Sequence, residues 1–141
     1  LKWTDTFKSK LTEELNEFAG IKILQDSIEI KILADVNFLF DSYEIPEESY
    51  PFLEKIVHLL IAYPSQMLQI NGHTDDLGSD DYNYKLSYQR AETIAKFLEM
   101  KGISKYRINY KGYGNSKPLV TNKTADGRST NRRVEFLFLN Q

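Results

Sequence analysis

A chain of 141 residues with 41% hydrophobic and 13% aromatic side chains can bury one sizeable core, which predicts a single domain with at most a short extension. The 18 basic and 20 acidic residues leave a net charge of −2, so no overall field favours nucleic acid or an anionic bilayer. The absence of cysteine excludes a disulfide framework, a thiolate metal site and a catalytic thiol.

The start of the chain bears on its origin. It begins at Leu1 without an initiator Met or the apolar segment of a signal peptide, and no apolar run approaches the length of a membrane span. We therefore interpret the chain as a fragment of a longer protein whose membrane attachment, if any, precedes Leu1.

The first thirty residues predict a helix and a hairpin. Phe7, Leu11, Leu15 and Phe18 recur at helical spacing, which predicts an amphipathic helix over about 4–19. Alternating apolar residues then predict two strands joined by a tight turn at 25–27. The apolar stripe of the helix has two interpretations that remain open, namely a homodimer contact and a cover for the sheet.

The remainder of the chain alternates strands and helices. Periodicity and turn residues predict helices at 47–62 and 82–100, strands at 67–70, 107–110 and 133–138, and a long loop at 112–130. Because strands separated by helices usually pair in parallel, we expect an α/β two-layer sandwich, with a small mixed sheet of about four strands and helices on one face.

A carboxylate and a guanidinium flank the third predicted helix. Asp75 follows the strand at 67–70, and Arg90 shares a helix face with Asn83 and Ser87. On the residues alone, the ordinary interpretation is a salt bridge that ties the loop to the helix. The alternative is a pocket for a small zwitterion.

Four segments of the chain resemble the peptidoglycan-binding OmpA-like domain. They are Gly72-His73-Thr74-Asp75, the run N-x-x-L-S-x-x-R-A at 83–91, the run F-x-F-D-S at 38–42, and T-x-x-G-R-x-x-N-R-R-V at 124–134. The resemblance covers about 30–139, so we expect an extension at 1–29 and an OmpA-like domain at 30–141. It implies the family's β-α-β-α-β-β order for the domain.

The resemblance also implies a ligand and a set of contacts. In that family the pocket holds the diaminopimelate of the peptidoglycan stem peptide, with Asp75 taking the ammonium and Arg90 the carboxylate. Asn83 and Ser87 would add hydrogen bonds or hold the loop, and Asn131 and Arg132 would approach the pocket while Arg128 braces the long loop. The expected binding residues are Asp75, Arg90, Asn83, Ser87, Leu86, Thr74, Phe40, Asp41, Asn131 and Arg132.

The function implied is non-covalent anchoring of a membrane protein or envelope complex to the cell wall, in the periplasm of a Gram-negative-type bacterium. A stator-type or secretion-system subunit, in which the domain mainly mediates dimerisation and protein interaction, is the alternative. Stator subunits usually carry a longer, proline-containing loop before the N-x-x-L-S run, and 76–81 has no proline.

Catalysis is not expected. His73 and Asp75 form an H-x-D pair that lacks the third protein ligand of a catalytic zinc site, and His58 falls among apolar helical residues where we expect it to be partly buried. Neither a G-x-S-x-G run nor a phosphate-binding loop is present. We therefore expect no enzyme, metal or cofactor.

Overall fold

The computed structural model describes residues 5–26 and 29–139. The elements are α1 (Asp5–Leu15), β1 (Ile21–Gln25), β2 (Glu29–Ala34), α2 (Tyr50–Ala62), β3 (Leu68–His73), α3 (Asp80–Met100), β4 (Ile108–Gly112), α4 (Ala125–Asn131) and β5 (Arg133–Leu139). Short 3-10 turns at Glu47–Ser49 and Lys105–Arg107 precede α2 and β4. The strands form an open five-stranded sheet in the order β1-β2-β5-β3-β4.

The sheet is mixed, as predicted. β1 and β2 form an antiparallel hairpin, and β5 lies antiparallel between β2 and β3. β3 and β4 are parallel because α3 returns the chain to the same end of the sheet. The predicted α/β sandwich is confirmed, with the hairpin strand β1 joined to the main sheet as a fifth strand.

The helices cover one face of the sheet. Leu68 and Ile70 are two positions apart on β3, so their side chains lie on the same face of the sheet, and Ile70 is opposite Phe136 of β5. The Phe52 ring of α2 lies 5.4 Å from Phe136, and the Phe7 ring of α1 lies 5.5 Å from Phe138. One apolar core therefore joins both helices to the sheet.

The apolar stripe of α1 is internal. Phe7, Leu11 and Leu15 are each at most 1% exposed, and α1 packs on α2 and the sheet. Of the two open interpretations, the structure supports the cover for the sheet. Phe7, Leu11 and Leu15 are therefore not exposed to a second copy in this conformation, and the homodimer through the first helix stays a prediction.

Two glycines allow α3 to contact the sheet backbone. A Cβ at Gly72 of β3 would lie 2.3 Å from the Ser87 carbonyl oxygen, and one at Gly112 of β4 would lie 2.4 Å from the Tyr88 nitrogen. Neither contact is sterically allowed, so both strand positions require glycine. The close approach fixes the cavity-facing side of α3 beside the end of β3.

Several predicted details were wrong. The segment 112–130 is not loop throughout, since Ala125–Asn131 is helical and the Thr124 hydroxyl caps it by accepting a bond from the Gly127 N–H. The first helix ends at Leu15 rather than near residue 19, and residue 4 lies outside the described residues. His58 is exposed, because it lies on the outer side of α2. Within residues 5–26 and 29–139, no helix is long and apolar enough to cross a bilayer.

Candidate ligand-binding cavity

A cavity of about 400 Å³ lies at the carboxyl end of β3. Three segments line it, namely the loop after β2, the stretch from the end of β3 into α3, and the end of α4 with the start of β5. All of the predicted binding residues except Asn131 lie in its wall, which includes Phe40, Asp41, Thr74, Asp75, Asn83, Leu86, Ser87, Arg90 and Arg132.

Asp75 pairs with Arg132 rather than with Arg90. Its Oδ2 accepts a hydrogen bond of 2.7 Å from Nη1 of Arg132, and its Oδ1 accepts one of 3.0 Å from the Leu77 N–H. Asp75 is only 7% exposed, whereas the Arg132 side chain is 49% exposed. The simple salt bridge between Asp75 and Arg90, the ordinary interpretation of the sequence, is therefore wrong.

Arg90 holds the loop after β2. Its Nε donates to the Ser42 carbonyl at 2.8 Å and its Nη2 to the Leu39 carbonyl at 3.1 Å, while the guanidinium lies 4.8 Å from the centre of the Phe38 ring. Burial lowers the pKa of Arg90, although nearby Tyr82 and Asp41 act in the opposite direction. Its Nη1 makes no hydrogen bond to a described residue, so both N–H groups of this nitrogen remain for a ligand.

The loop over the cavity is constrained at both ends. Asn37 (φ 61°) and Asp41 (φ 55°) adopt the left-handed conformation, which non-glycine residues seldom take. The Tyr82 hydroxyl of α3 donates a hydrogen bond to the Asp41 carboxylate, and this bond raises the pKa of Tyr82. The side chain of Phe40, between these anchors, is 95% exposed at the cavity rim.

The neutral polar residues of the wall mainly shape it. Asn83 Nδ2 donates to the Leu77 carbonyl at 2.9 Å, which holds the loop after β3. The Ser87 hydroxyl accepts a bond of 2.9 Å from the Gly114 N–H, and the Thr74 hydroxyl donates to the Asp75 carbonyl at 2.8 Å. In the structure Asn83 and Ser87 therefore hold loops, which is one of the two roles expected for them beside hydrogen bonding to the ligand.

The charges in the wall are balanced. The wall contains the carboxylates of Asp35, Asp41 and Asp75 and the guanidinium groups of Arg90, Arg132 and Arg133. Such a cavity suits a ligand that carries both an ammonium and a carboxylate, because each group finds an opposite charge. Among the described residues, no group of three or more His, Asp or Glu side chains could hold a metal ion.

Comparison with known proteins identifies the family. The OmpA family model matches residues 37–132, which is more than half of the chain. The match includes every residue of the cavity wall except Asp35, Val36, Arg133 and Val134. The chain belongs to the OmpA family.

The relatives of this chain include a porin and a peptidoglycan-binding protein. The chain is 40% identical to outer membrane porin F of Pseudomonas aeruginosa over 107 residues, which are 75% of this chain and 31% of the porin. It is 34% identical to the peptidoglycan-binding protein ArfA of Mycobacterium tuberculosis over 114 residues, or 81% of this chain and 35% of that protein. The chain thus spans about a third of the length of these two relatives.

The OmpA-family fold extends over nearly the whole chain. The solved structure of the cell wall anchor of the type VI secretion system (T6SS) from Pseudomonas aeruginosa superposes with a TM-score of 0.81, at 24% identity. The superposition covers 96% of this chain and 97% of that one, so it includes α1 and β1 as well as the family-matched segment. The division of the chain at residue 30 stays a prediction.

One OmpA-signature residue has a role outside the cavity. Asn131 is fully buried, and its Oδ1 accepts bonds from the Leu119 and Val120 N–H groups while its Nδ2 donates to Val120 and Asn122. Arg128 donates to the Asn122 carbonyl at 3.0 Å, in agreement with its expected bracing role. Both residues therefore order the loop before α4.

A buried charged cluster lies beneath the cavity. Arg133 Nε donates to Glu135 Oε2 at 2.9 Å, and His73 Nε2 lies 3.3 Å from Glu135 Oε1. Burial raises the pKa of Glu135, but the neighbouring His73, Arg133 and Lys31 outweigh it and lower that pKa to about 2. The His73 ring also stacks on the Tyr113 ring, with 5.2 Å between the ring centres, so the contacts of this histidine hold the structure together.

Sequence reasoning missed two further residues of this region. Tyr82 lies one helical turn before Leu86 and two before Arg90, so its spacing alone could have placed it on the cavity face of α3. Glu135 alternates with Phe136 on β5 and so belongs to the opposite sheet face from the apolar core. Nothing in the sequence indicated that Glu135 would be buried there.

Proposed function

We propose that the cavity binds peptidoglycan non-covalently through the diaminopimelate residue of its stem peptide, and that the domain thereby anchors an envelope protein or complex to the cell wall. The observation that carries this proposal is the Asp75 carboxylate in one wall with Arg90 and Arg132 nearby, in a cavity whose charges are balanced. The relatives named for the outer membrane and for peptidoglycan binding support it. They also support a periplasmic location, with attachment to a membrane through a segment outside this chain.

The free end of diaminopimelate is an amino acid group, so it presents an ammonium and a carboxylate a fixed distance apart. The ligand ammonium binds the Asp75 carboxylate and replaces Arg132 as its partner. The ligand carboxylate binds the unbonded Nη1 of Arg90. Hydrogen bonds to charged groups contribute roughly 1.5–3 kcal/mol, so losing one weakens binding about tenfold or more.

The test is calorimetric titration with free meso-diaminopimelate, together with co-sedimentation on purified sacculi that contain it. Asp75→Asn keeps an acceptor for the Leu77 N–H but loses the charge, and Arg90→Lys keeps the charge but loses the guanidinium fork. We expect each variant to weaken binding about tenfold or more. Sacculi that carry lysine in place of diaminopimelate lack the second carboxylate and should sediment little of the protein.

Two control variants separate binding from folding. Asp76→Asn alters the exposed neighbour of Asp75, which does not line the cavity. Arg107→Lys replaces a second guanidinium, which donates hydrogen bonds to backbone carbonyls away from the cavity, namely those of Leu60, Tyr63 and Gln66. Both controls should bind as the unaltered protein does. Full affinity in Asp75→Asn would contradict the proposal.

A further inference from the structure

A second cavity, of about 250 Å³, lies beside the first. It is bounded by the start of β1, the end of β2, the loop before α4 and the end of α4. Some residues of its wall do not line the first cavity, among them Lys22, Leu33, Leu119 and Thr130. The two cavities share a wall made of Asp35, Ser129, Arg132 and Arg133. The two cavities therefore adjoin along these four residues.

Arg132 is the group that links the two cavities. Its Nη1 is bonded to Asp75 in the first cavity, whereas its Nε and Nη2 make no hydrogen bond to a described residue. When a ligand ammonium takes the Asp75 carboxylate, Arg132 loses its sole partner among the described residues. Its charge then becomes available to the second cavity.

The second cavity also has a cation of its own. Lys22 is exposed on β1 and forms no ion pair with any residue that the structure describes. Arg133 is matched by Glu135 at 2.9 Å, and Asp35 is the one carboxylate in this wall. When the first cavity is occupied, the positive charges of Lys22 and the released Arg132 exceed the negative charge of Asp35, so the second cavity carries a net positive charge.

We propose that the second cavity is a subsite for a carboxylate on the peptide residue next to the zwitterion, with Lys22 and Arg132 as its donors. This inference rests on the proposed function, because it needs an ammonium at Asp75 to release Arg132. The ligand class is then an acidic peptide that bears a zwitterionic end and a neighbouring carboxylate. Occupation of the first cavity strengthens the second, since Arg132 serves both.

The test compares three probes by calorimetric titration: free meso-diaminopimelate, the dipeptide γ-D-glutamyl-meso-diaminopimelate, and the same dipeptide with its glutamyl carboxylate converted to an amide. The acidic dipeptide should bind about tenfold more tightly than its amide, the effect of one charge-assisted contact. In the Lys22→Gln variant the affinity for the acidic dipeptide should fall towards that for the amide, while the affinity for free diaminopimelate stays unchanged.

Lys111→Gln is the matched control, because Lys111 is an exposed strand lysine that lines neither cavity. It should leave all three affinities unchanged. Equal affinities for the acidic dipeptide and its amide, with free diaminopimelate still bound, would overturn the subsite and leave the proposed function intact. Failure of all three probes to bind would overturn the proposed function itself.

Discussion

Arg90 and Arg107 lie at opposite ends of the sheet and bind the backbone in the same way. Arg107 donates to the carbonyls of Leu60, Tyr63 and Gln66, and Arg90 donates to those of Leu39 and Ser42. Burial lowers the pKa of both. A guanidinium that clamps carbonyl groups is therefore a general structural device of this fold and does not by itself indicate a ligand site.

The surroundings of the two arginines differ. Only burial acts on Arg107, whereas Arg90 also has the charges of Asp41, Asp75 and Arg132 around it and lies in the wall of a cavity. The proposed ligand binding depends on these neighbouring charges. We therefore expect the Arg107 end to determine stability alone and the cavity end to combine stability, pH sensitivity and binding.

The largest expected effect concerns Glu135 at the cavity end. Its pKa is lowered from 4.5 to about 2 in the folded chain, so its contribution to stability is complete above about pH 4.5 and is lost as the pH falls towards 2. A shift of this size corresponds to about 3 kcal/mol. Urea denaturation of the unaltered protein between pH 7 and pH 2.5 should show this loss.

Glu135→Gln should remove most of that pH dependence. It should also lower stability at pH 7 by about 3 kcal/mol, because it leaves the buried Arg133 without its carboxylate. Hydrogen exchange at low pH should increase first at the β3–β5 end next to the cavity and later near Arg107. Parallel stability curves for the two proteins between pH 7 and 2.5 would contradict this prediction.

The next effect compares the two arginines directly. Arg107→Ala should cost about 2 kcal/mol, because several hydrogen bonds to carbonyls are lost, and Arg90→Ala about 1 kcal/mol. Only Arg90→Ala should also weaken binding of diaminopimelate. Thermal unfolding and titration on the same samples provide both measurements, and a binding defect in Arg107→Ala would remove the distinction between the two ends.

The smallest effect concerns the loop anchor. Tyr82→Phe removes the hydrogen bond to Asp41 at a solvent-exposed site, so the free energy of unfolding in urea should fall only slightly. Binding should weaken a few-fold, because the loop that carries Phe40 is held less firmly. Tyr84→Phe, an exposed tyrosine of the same helix outside the cavity wall, should change neither quantity.

The elements with clear periodicity were predictable from sequence. The alternation in β5 and the helical stripes of α1 and α2 indicated which faces are buried, and packing follows from that. The helix α4 was not predictable, because Ala125–Asn131 has no apolar periodicity and depends on the Thr124 cap and on Asn131 bonds to the preceding loop. Its stabilisation comes from specific hydrogen bonds.

The cavity was predictable in membership but not in pairing. The motif residues indicated which side chains meet, because the family pattern records their positions. The partner of Asp75 could not be inferred, since Arg132 lies 57 residues further along and reaches it only through the path of the 113–131 segment. The motif also does not indicate that Arg90 binds the Leu39 and Ser42 carbonyls and so contributes to stability.

The contact of α3 with Gly72 and Gly112 limits how this domain can diversify. With the helix backbone already against the strands, neither strand can gain a side chain there. Changes in ligand preference must therefore come from other residues of the cavity wall, such as those at 35–41, 74–90 and 129–134. An engineer who wishes to retarget the domain should vary these wall positions and keep Gly72 and Gly112 unchanged.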